Sequence, residues 1–252
     1  MLVNNFYAYL VCKDNIEDFK LTIDSIYELI KDNEIKLIVC DSSKDDCIPL
    51  FLADRGIFDR CIYSRMVPQG IYPAMNSLLD RISLTDYVWY LNPGDVLTSR
   101  EHLLKLLHEI ENGGYIWGFG QANAIDADSS EAFPTALGLN FSDSLYSGAT
   151  RISHQAMVVR NCALNEIGKF SLKYRICADY LVQLRLAKMY KPYFLPVCLI
   201  AFDTTGISHR RLSRTYLESF LIRLEIDNYK ISHAFSITFR NLIIHLLRKL
   251  NR

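Results

Sequence analysis

Three aspartates stand where short apolar runs end, and a carboxylate in such a place can do chemistry. Asp41 follows "IVC", Asp95 closes the stretch "YVWYLNPGD", and Asp179 follows "YRICA". Carboxylates there can accept hydrogen bonds from a base or a ribose, bind a divalent cation, or take the proton of an attacking hydroxyl. Because these residues are far apart in the chain, they can act together only if the fold brings them to one crevice.

Asp41 and Asp95 each have a structural explanation beside the functional one. Asp41 at the end of a strand could bind a base or ribose, or it could form an Asx-turn or cap the next helix. Asp95 could be the one carboxylate that a divalent cation needs when a diphosphate and water supply the other ligands. It could equally be the polar end of a tight turn at Pro93-Gly94. Position alone leaves both pairs of alternatives open.

Asp179 and the pair His154-Gln155 are further candidate functional residues that also have a structural explanation. Asp179 lies at the start of a predicted helix, where capping explains it, whereas in a cavity it would serve as a general base. His154-Gln155 precedes the apolar run "AMVVR". A hydrogen-bonded structural histidine explains that pair from its spacing.

The elements that must position these residues alternate between strand and helix. Buried strand patterns occupy 6–12, 35–40, 60–64 and 87–91, and helical patterns follow at 16–30, before Gly56, at 70–82 and from the "TSRE" capping box at 98–101 to Gly113. Asn15 is placed to cap the first helix. This alternation predicts an α/β fold with a mostly parallel, doubly wound sheet, in which ligands bind beyond the carboxyl ends of the strands.

Regular patterns become weaker after Gly113. Residues 120–153 are polar and rich in small residues, which predicts a long irregular insertion of the kind that is often functional. Order returns with a strand at 156–160, a helix at 178–190 and a strand at 193–202. We place a catalytic domain at 1–210 and a basic, amphipathic helical tail at 211–252.

Composition limits the partners. The 252 residues are 50% hydrophobic and contain 28 basic and 28 acidic side chains, so the whole molecule does not attract nucleic acid. The charge is uneven, because residues 205–252 hold nine basic and three acidic side chains, a net +6 that leaves −6 on the rest. Seven cysteines without a C-x-x-C spacing favour neither disulfides nor a structural zinc site, and we interpret them as buried thiols in a reducing cytoplasm. No signal peptide or membrane-spanning run is evident, so we expect a cytoplasmic protein.

Six blocks of the sequence resemble family 2 glycosyltransferases in their order and rough spacing. They are "IVCDSSKDD", "QGIYPAMNSLLDRI", "YVWYLNPGDVL", "ISHQAMVVR", "YRICADYLVQLRL" and "TGIS". The similarity covers residues 6 to 210 and is closest to bacterial enzymes that build colanic acid, capsule and O-antigen (lipopolysaccharide) polysaccharides. The "GIY-x-AMN" block and the "HQ…ADY" pair are its most specific parts.

This resemblance implies a GT-A fold and an inverting transferase that uses a nucleotide sugar, with UDP the expected nucleotide, and a divalent metal, Mn²⁺ or Mg²⁺. It implies that Asp179 is the general base and that Asp95 binds the metal. The implied donor-binding residues are Asp41, Ser43, Gly70, Tyr72, Asn76 and Asn92. The implied acceptor-side residues are His154, Gln155, Gly206 and Ser208.

Some positions depart from the family pattern. Asn92 and Gly94 stand where many relatives have aspartates, and Pro73 replaces the usual acid of "GIYDAMN". Ser42 and Asp46 stand where glycines are common. These departures keep open a non-catalytic module that binds nucleotide sugar or glycan. A nucleotidyltransferase is the other enzyme reading, but it would show a glycine-rich phosphate loop that "VCKDNIED" lacks.

The predicted tail combines an apolar stripe with basic side chains. The stripe contains Phe235, Phe239, Leu242, Ile243, Leu246, Leu247 and Leu250, with Arg240, Arg248, Lys249 and Arg252 mostly off it. A basic amphipathic helix suits the cytoplasmic face of the inner membrane, where a lipid-linked acceptor would lie. Packing against the catalytic domain or a second subunit is the alternative.

Overall fold

The computed structural model describes residues 4–124, 141–148, 150, 152–202, 212–226 and 231–250, without the side chains of 233 and 244–250. Its strands are β1 (Phe6–Cys12), β2 (Lys36–Asp41), β3 (Cys61–Arg65), β4 (Tyr87–Leu91), β5 (Val96–Leu97), β6 (Trp117–Ala124), β7 (Met157–Arg160) and β8 (Tyr193–Phe202). Its helices are α1 (Ile16–Lys31), α2 (Cys47–Asp54), α3 (Ile71–Ser77), α4 (Arg100–Asn112), α5 (Phe141–Ser147), α6 (Asn161–Glu166), α7 (Ala178–Met189), α8 (Leu212–Glu225) and α9 (Ile231–Leu250).

All eight strands form one sheet, in the order β3-β2-β1-β4-β7-β6-β8-β5. The first four are parallel, β7 is antiparallel to both of its neighbours, and β6 and β8 are parallel to each other. Alternate residues of β1 enter two separate cores: Tyr7 and Tyr9 pack with α3 and α7, while Ala8 and Leu10 pack with α1, α2 and α4. Helices thus cover both faces, which confirms the predicted α/β fold.

Two strands were missed, the short β5 and β6. The prediction that order fades after Gly113 is wrong, because β6 lies inside the sheet and α5 occupies 141–147 of the expected insertion. Gly118 and Gly120 weaken the strand signal of β6, yet close packing requires them. A Cβ on Gly120 would lie 2.5 Å from the side chain of Leu199. Residues 125–140 of the expected insertion lie outside the described residues.

Two predicted caps differ in detail. Helix α4 is capped by Ser99, whose hydroxyl accepts from the His102 amide, and not by Thr98 of the expected capping box. The Thr98 hydroxyl instead donates to the carbonyl of Cys198 at 2.8 Å. Asn15 precedes α1, but its side chain accepts from Lys13 N rather than from the helix.

The C-terminal helices belong to the core on one side and face solvent on the other. Ile222 of α8 and Ile237 of α9 join the core cluster that contains α7. The opposite side of α9 carries an outer stripe of exposed apolar side chains, Ile231, Phe235, Phe239 and Ile243. In the part of the chain that the structure covers, no helix is long and apolar enough to span a bilayer. The boundary proposed near residue 210 lies outside the described residues.

Candidate active site

The carboxyl ends of β2, β1 and β4 meet at one edge of the sheet. Asp41 is the last residue of β2 and pairs in register with Cys12, while Leu91 at the end of β4 pairs with Leu10. Adjacent strands lie about 4.8 Å apart, so Asp41 and Asn92, just after β4, are separated by about 10 Å across β1. Two of the predicted donor-side residues therefore share this edge.

Asp41 is fully buried, and both of its carboxylate oxygens have partners. Oδ1 accepts from Ser43 N at 2.8 Å, which forms the Asx-turn that the sequence left open. Oδ2 accepts from the Tyr63 hydroxyl at 2.7 Å and lies 3.6 Å from Arg65 Nη2. Burial, together with the hydrogen bond to Asp41 and its charge, raises the pKa of Tyr63. A nucleotide that contacts Asp41 must therefore displace one of these partners.

The Asn92-Pro93-Gly94-Asp95 segment is a tight turn in which Asp95 folds back onto the backbone of Asn92. Asp95 N donates to Asn92 O at 3.0 Å, and Asn92 N donates to Asp95 Oδ2 at 2.6 Å. Gly94 has a φ of +97°, which side-chain-bearing residues rarely adopt, and its amide contacts Thr22 of α1. The turn thus fixes Asp95 at the edge of the sheet, with Gln155 Nε2 at 3.5 Å from Oδ1.

His154 connects this turn to Asp179. Its Nε2 lies 3.2 Å from the Asn92 side-chain amide, and its Nδ1 lies 3.4 Å from Asp179 Oδ2. This pairing fits a proton on Nδ1, directed at the carboxylate. Burial opposes protonation of the ring, but the hydrogen bond and charge of Asp179 and the charge of Asp95 outweigh it and raise the pKa of His154. One side chain thus links the predicted metal ligand to the predicted base.

Asp179 lies in the first turn of α7 and faces a cavity of about 300 Å³. Its Oδ1 is 3.3 Å from the hydroxyl of Tyr72, which also donates to Ile176 O. The Tyr72 ring stacks on Phe170. The structure therefore places Tyr72, expected on the donor side, directly beside the candidate base.

The cavity beside Asp179 is walled by helices from the C-terminal half of the chain. Helices α5, α7, α8 and α9 contribute to it, as do Thr150 and Ile152. Its polar side chains are mostly hydroxyls and amides, namely Thr150, Tyr180, Gln183, Thr215, Tyr216, Ser219 and Asn241, with Arg223 as a cation. Such a lining can bind the hydroxyls of a sugar by hydrogen bonds.

Glu218 of α8 holds the backbone that leads into α7. Its carboxylate accepts from the amides of Arg175, Ile176 and Cys177 at 2.8–3.2 Å and pairs with Arg214 Nε at 2.8 Å. Burial opposes ionisation, but these donors outweigh it and lower the pKa of Glu218. Sequence reasoning missed this residue. Only the i,i+4 spacing to Arg214 is visible in the sequence, and it does not show the contact with α7.

Two other predicted donor-binding residues, Asn76 and Gly70, have local structural roles. The Asn76 side chain bonds the backbone of Phe170 in both directions, at 2.8 and 3.0 Å, so its amide is committed to that loop. Gly70 precedes α3 with a φ of +115°. Gly206 and Ser208 lie outside the described residues. The ligand roles of these four residues stay predictions.

A divalent metal fits this site only together with a ligand that brings oxygen atoms. Within the described residues, no group of three His, Cys, Asp or Glu side chains could hold a metal ion. Asp95 supplies one carboxylate at the strand edge. Since such cations commonly take one or two protein carboxylates and complete their shell with phosphate and water, the donor set is suited to a metal bound with a diphosphate.

Comparisons with known proteins bear on the family and the fold of the chain. No family model matches the chain. The chain is 25% identical over 232 residues to "Uncharacterized glycosyltransferase Rv1514c" of Mycobacterium tuberculosis, covering 88% of this chain and 86% of that one.

Solved structures show the same fold. S. aureus TarS superposes with a TM-score of 0.67 at 15% identity, over 92% of this chain, which spans only 42% of the TarS chain. Mannosyltransferase PcManGT from Pyrobaculum calidifontis, in complex with GDP-Man and Mn²⁺, gives a TM-score of 0.65 at 14% identity over 93% of this chain and 69% of that one. These likenesses confirm the GT-A fold, and the curated relative establishes homology to glycosyltransferases.

Replacing Glu218 by Gln is expected to lower the free energy of unfolding by about 2 kcal/mol, because Gln loses the charge that the three amides and Arg214 engage. The difference from wild type should be present above the ordinary glutamate pKa and disappear as pH falls through the depressed pKa of Glu218. Urea unfolding at several pH values measures it. Glu28→Gln, at an exposed position, is the matched control; equal stability of both variants would contradict the anchoring role.

Proposed function

We propose that the protein, a glycosyltransferase with the GT-A fold, moves a sugar from a nucleoside-diphosphate sugar to a growing, lipid-linked cell-surface polysaccharide, with inversion at the anomeric carbon. One observation carries the proposal: the hydrogen-bonded connection from Asp95 through Asn92 and His154 to Asp179, at the edge of a GT-A sheet. This connection supports a pair of roles, with Asp95 holding a metal and diphosphate and Asp179, at its other end, accepting a proton.

The roles follow from the positions. Asp179, open to the cavity, takes the proton from an acceptor hydroxyl as that oxygen forms a bond to the anomeric carbon, and the bond to the diphosphate oxygen breaks. His154 holds Asp179 in place and keeps its Nδ1 proton directed at that carboxylate. A bound divalent metal would neutralise charge on the departing diphosphate, and Asp95 would hold it. One displacement at the anomeric carbon inverts its configuration.

The donor nucleotide is proposed as UDP on the family resemblance. A TarS fragment that superposes on this chain was crystallised with UDP-GlcNAc, whereas PcManGT was crystallised with GDP-Man. The fold therefore accommodates either base. Tyr63 and Arg65, which cover Asp41, are the side chains that a base at this edge would meet first. A panel of nucleotide sugars decides between the bases.

We also propose a cytoplasmic location with peripheral binding to the inner membrane through the outer stripe of α9. Phe235 and Phe239 are 61% and 52% exposed, their rings stack on each other, and the Phe235 ring also meets Phe220 of α8 edge to face. Asn241 of the same helix lines the cavity beside Asp179, so a bilayer at the stripe would lie near the acceptor site. Arg223, however, is buried, so the basic surface is smaller than the sequence predicts.

A second candidate is a non-catalytic module that binds nucleotide sugar or glycan. The absence of acidic side chains at Asn92, Gly94 and Pro73, which leaves Asp95 as the one carboxylate of the turn, favours it. Metal-dependent UDP binding without any donor turnover would support this module over the enzyme.

Replacing Asp179 by Asn is expected to reduce sugar transfer by about 10²–10⁴-fold, since the attacking hydroxyl loses its base. Transfer and donor hydrolysis with a nucleotide-sugar panel measure this, while calorimetry should show unchanged affinity for UDP. Asp54→Asn, at an exposed position, serves as control. Full activity of Asp179→Asn would rule out the assigned base.

Replacing Asp95 by Asn should weaken the metal-dependent part of UDP binding, which Asp179→Asn leaves intact. Addition of Mn²⁺ is expected to increase UDP affinity in the wild-type protein and in Asp179→Asn, but much less in Asp95→Asn, because the amide oxygen carries no charge to hold the cation. Titration of UDP with and without Mn²⁺ tests this. A Mn²⁺ effect that survives unchanged in Asp95→Asn would place the metal elsewhere.

Substitution of both Phe235 and Phe239 by Gln is expected to lower the membrane-bound fraction about tenfold or more, because the variant can no longer bury two half-exposed aromatic rings in the bilayer. Flotation of the full chain with vesicles of phosphatidylethanolamine and phosphatidylglycerol measures it. Leu50→Gln with Leu172→Gln, at two equally exposed positions far from α9 in sequence, is the matched control. Equal flotation of the two double variants would count against the stripe.

A further inference from the structure

The cavity beside Asp179 contains a buried cation. Arg223 of α8 is 4% exposed and lines the same cavity as Asp179. Among the described residues of this lining, Asp179 is the one carboxylate and Arg223 the one basic side chain. A proton acceptor and a fixed positive charge therefore face one space.

The described partners of the Arg223 guanidinium are neutral. Its Nε donates to Tyr146 O at 2.9 Å and its Nη1 donates to Thr238 Oγ1 at 3.2 Å. The group also lies over the rings of Tyr146 and Tyr180, at 5.9 and 5.3 Å from their centroids. The carbonyl, the hydroxyl and the two ring faces offset part of the free-energy cost of burying the cation, but none of them carries a negative charge.

The nearest acids of α8 are engaged with other cations. Glu218 pairs with Arg214, and Glu225 pairs with Lys173 and Arg185. Within the described part of the chain, no carboxylate forms an ion pair with Arg223. Arg223 therefore lines the cavity without a carboxylate partner among the described residues.

We propose that this cavity binds the acceptor and selects one that carries an anionic group, a phosphate or a carboxylate, which pairs with Arg223. The inference rests on the proposed transfer reaction and adds the chemical class of its acceptor. A planar guanidinium donates through several N–H groups in a fixed fork, which suits both oxyanions. The hydroxyls and amides around it bind the sugar, and Asp179 receives the proton of the reacting hydroxyl.

A purely structural role makes a different prediction. The carbonyls at the end of α5 accept from Arg223, Arg240 and Asn241, so Arg223 also stabilises that helix end. Loss of this contact would weaken the fold and the binding of charged and neutral acceptors alike. Only charge recognition makes the effect of Arg223 depend on the charge of the ligand.

Three probes separate these roles: α-D-glucose 1-phosphate, D-glucuronate and neutral methyl α-D-glucoside. They are titrated by ligand-observed NMR into the full chain with UDP and Mn²⁺ present at saturation, so that the donor side is filled. At least one anionic probe should bind about tenfold more tightly than the neutral one, a preference that Arg223→Gln removes and Arg223→Lys largely keeps. Preference for the phosphate or for the carboxylate identifies the anionic group.

Ser219→Leu provides a second variant, which leaves Arg223 in place but fills the cavity. It should abolish binding of all three probes while UDP binding persists. No preference for an anion in the wild type, a preference unchanged in Arg223→Gln, or anion binding that survives Ser219→Leu would overturn the proposal. Failure of UDP to bind would instead contradict the proposed donor. The experiment therefore distinguishes failure of the acceptor proposal from failure of the proposed function.

Discussion

The contact of His154 with both Asn92 and Asp179 is the interaction on which the site depends. Asn92 belongs to the turn after β4, while Asp179 belongs to the first turn of α7, and the imidazole spans the gap between them. Because the mostly buried ring contacts the Asp179 carboxylate and also experiences the charge of Asp95, its pKa responds to both acids. The turn and the proposed base are therefore electrostatically coupled through His154.

The C-terminal helices complete this unit and are more than a tail. Glu218 holds the three amides that precede Asp179, so the orientation of the base depends on α8. The same helix brings Arg223 to the cavity, and α9 contributes Asn241 to its wall while presenting Phe235 outward. Support for the backbone before Asp179, part of the cavity wall and an apolar outer surface thus come from two consecutive helices.

The donor side is arranged differently from the base side. Asp41 is closed by Ser43, Tyr63 and Arg65, whereas Asp179 is open to a cavity. In a parallel sheet the end of β2 is covered by its own turn and by the neighbouring strand β3, which brings Tyr63 and Arg65 onto the carboxylate. With these partners, the buried Asp41 carboxylate stabilises the edge of the sheet when no nucleotide is bound. A nucleotide that bound to Asp41 would have to replace one of these hydrogen bonds, which costs free energy.

Local patterns in the sequence determined much of this protein: the alternating strands and helices up to Gly113, the turn at Asn92–Asp95, and the three aspartates at element ends. These follow from periodicity and turn chemistry, which act over a few residues. Tertiary structure alone decided the place of β6, whose glycines are explained only by the packing of Leu199 and Ile110. It also decided that Tyr72 lies beside Asp179, that Glu218 anchors α7 and that Arg223 is buried. Each of these depends on a contact between segments distant in sequence, and neither composition nor spacing encodes such a contact locally.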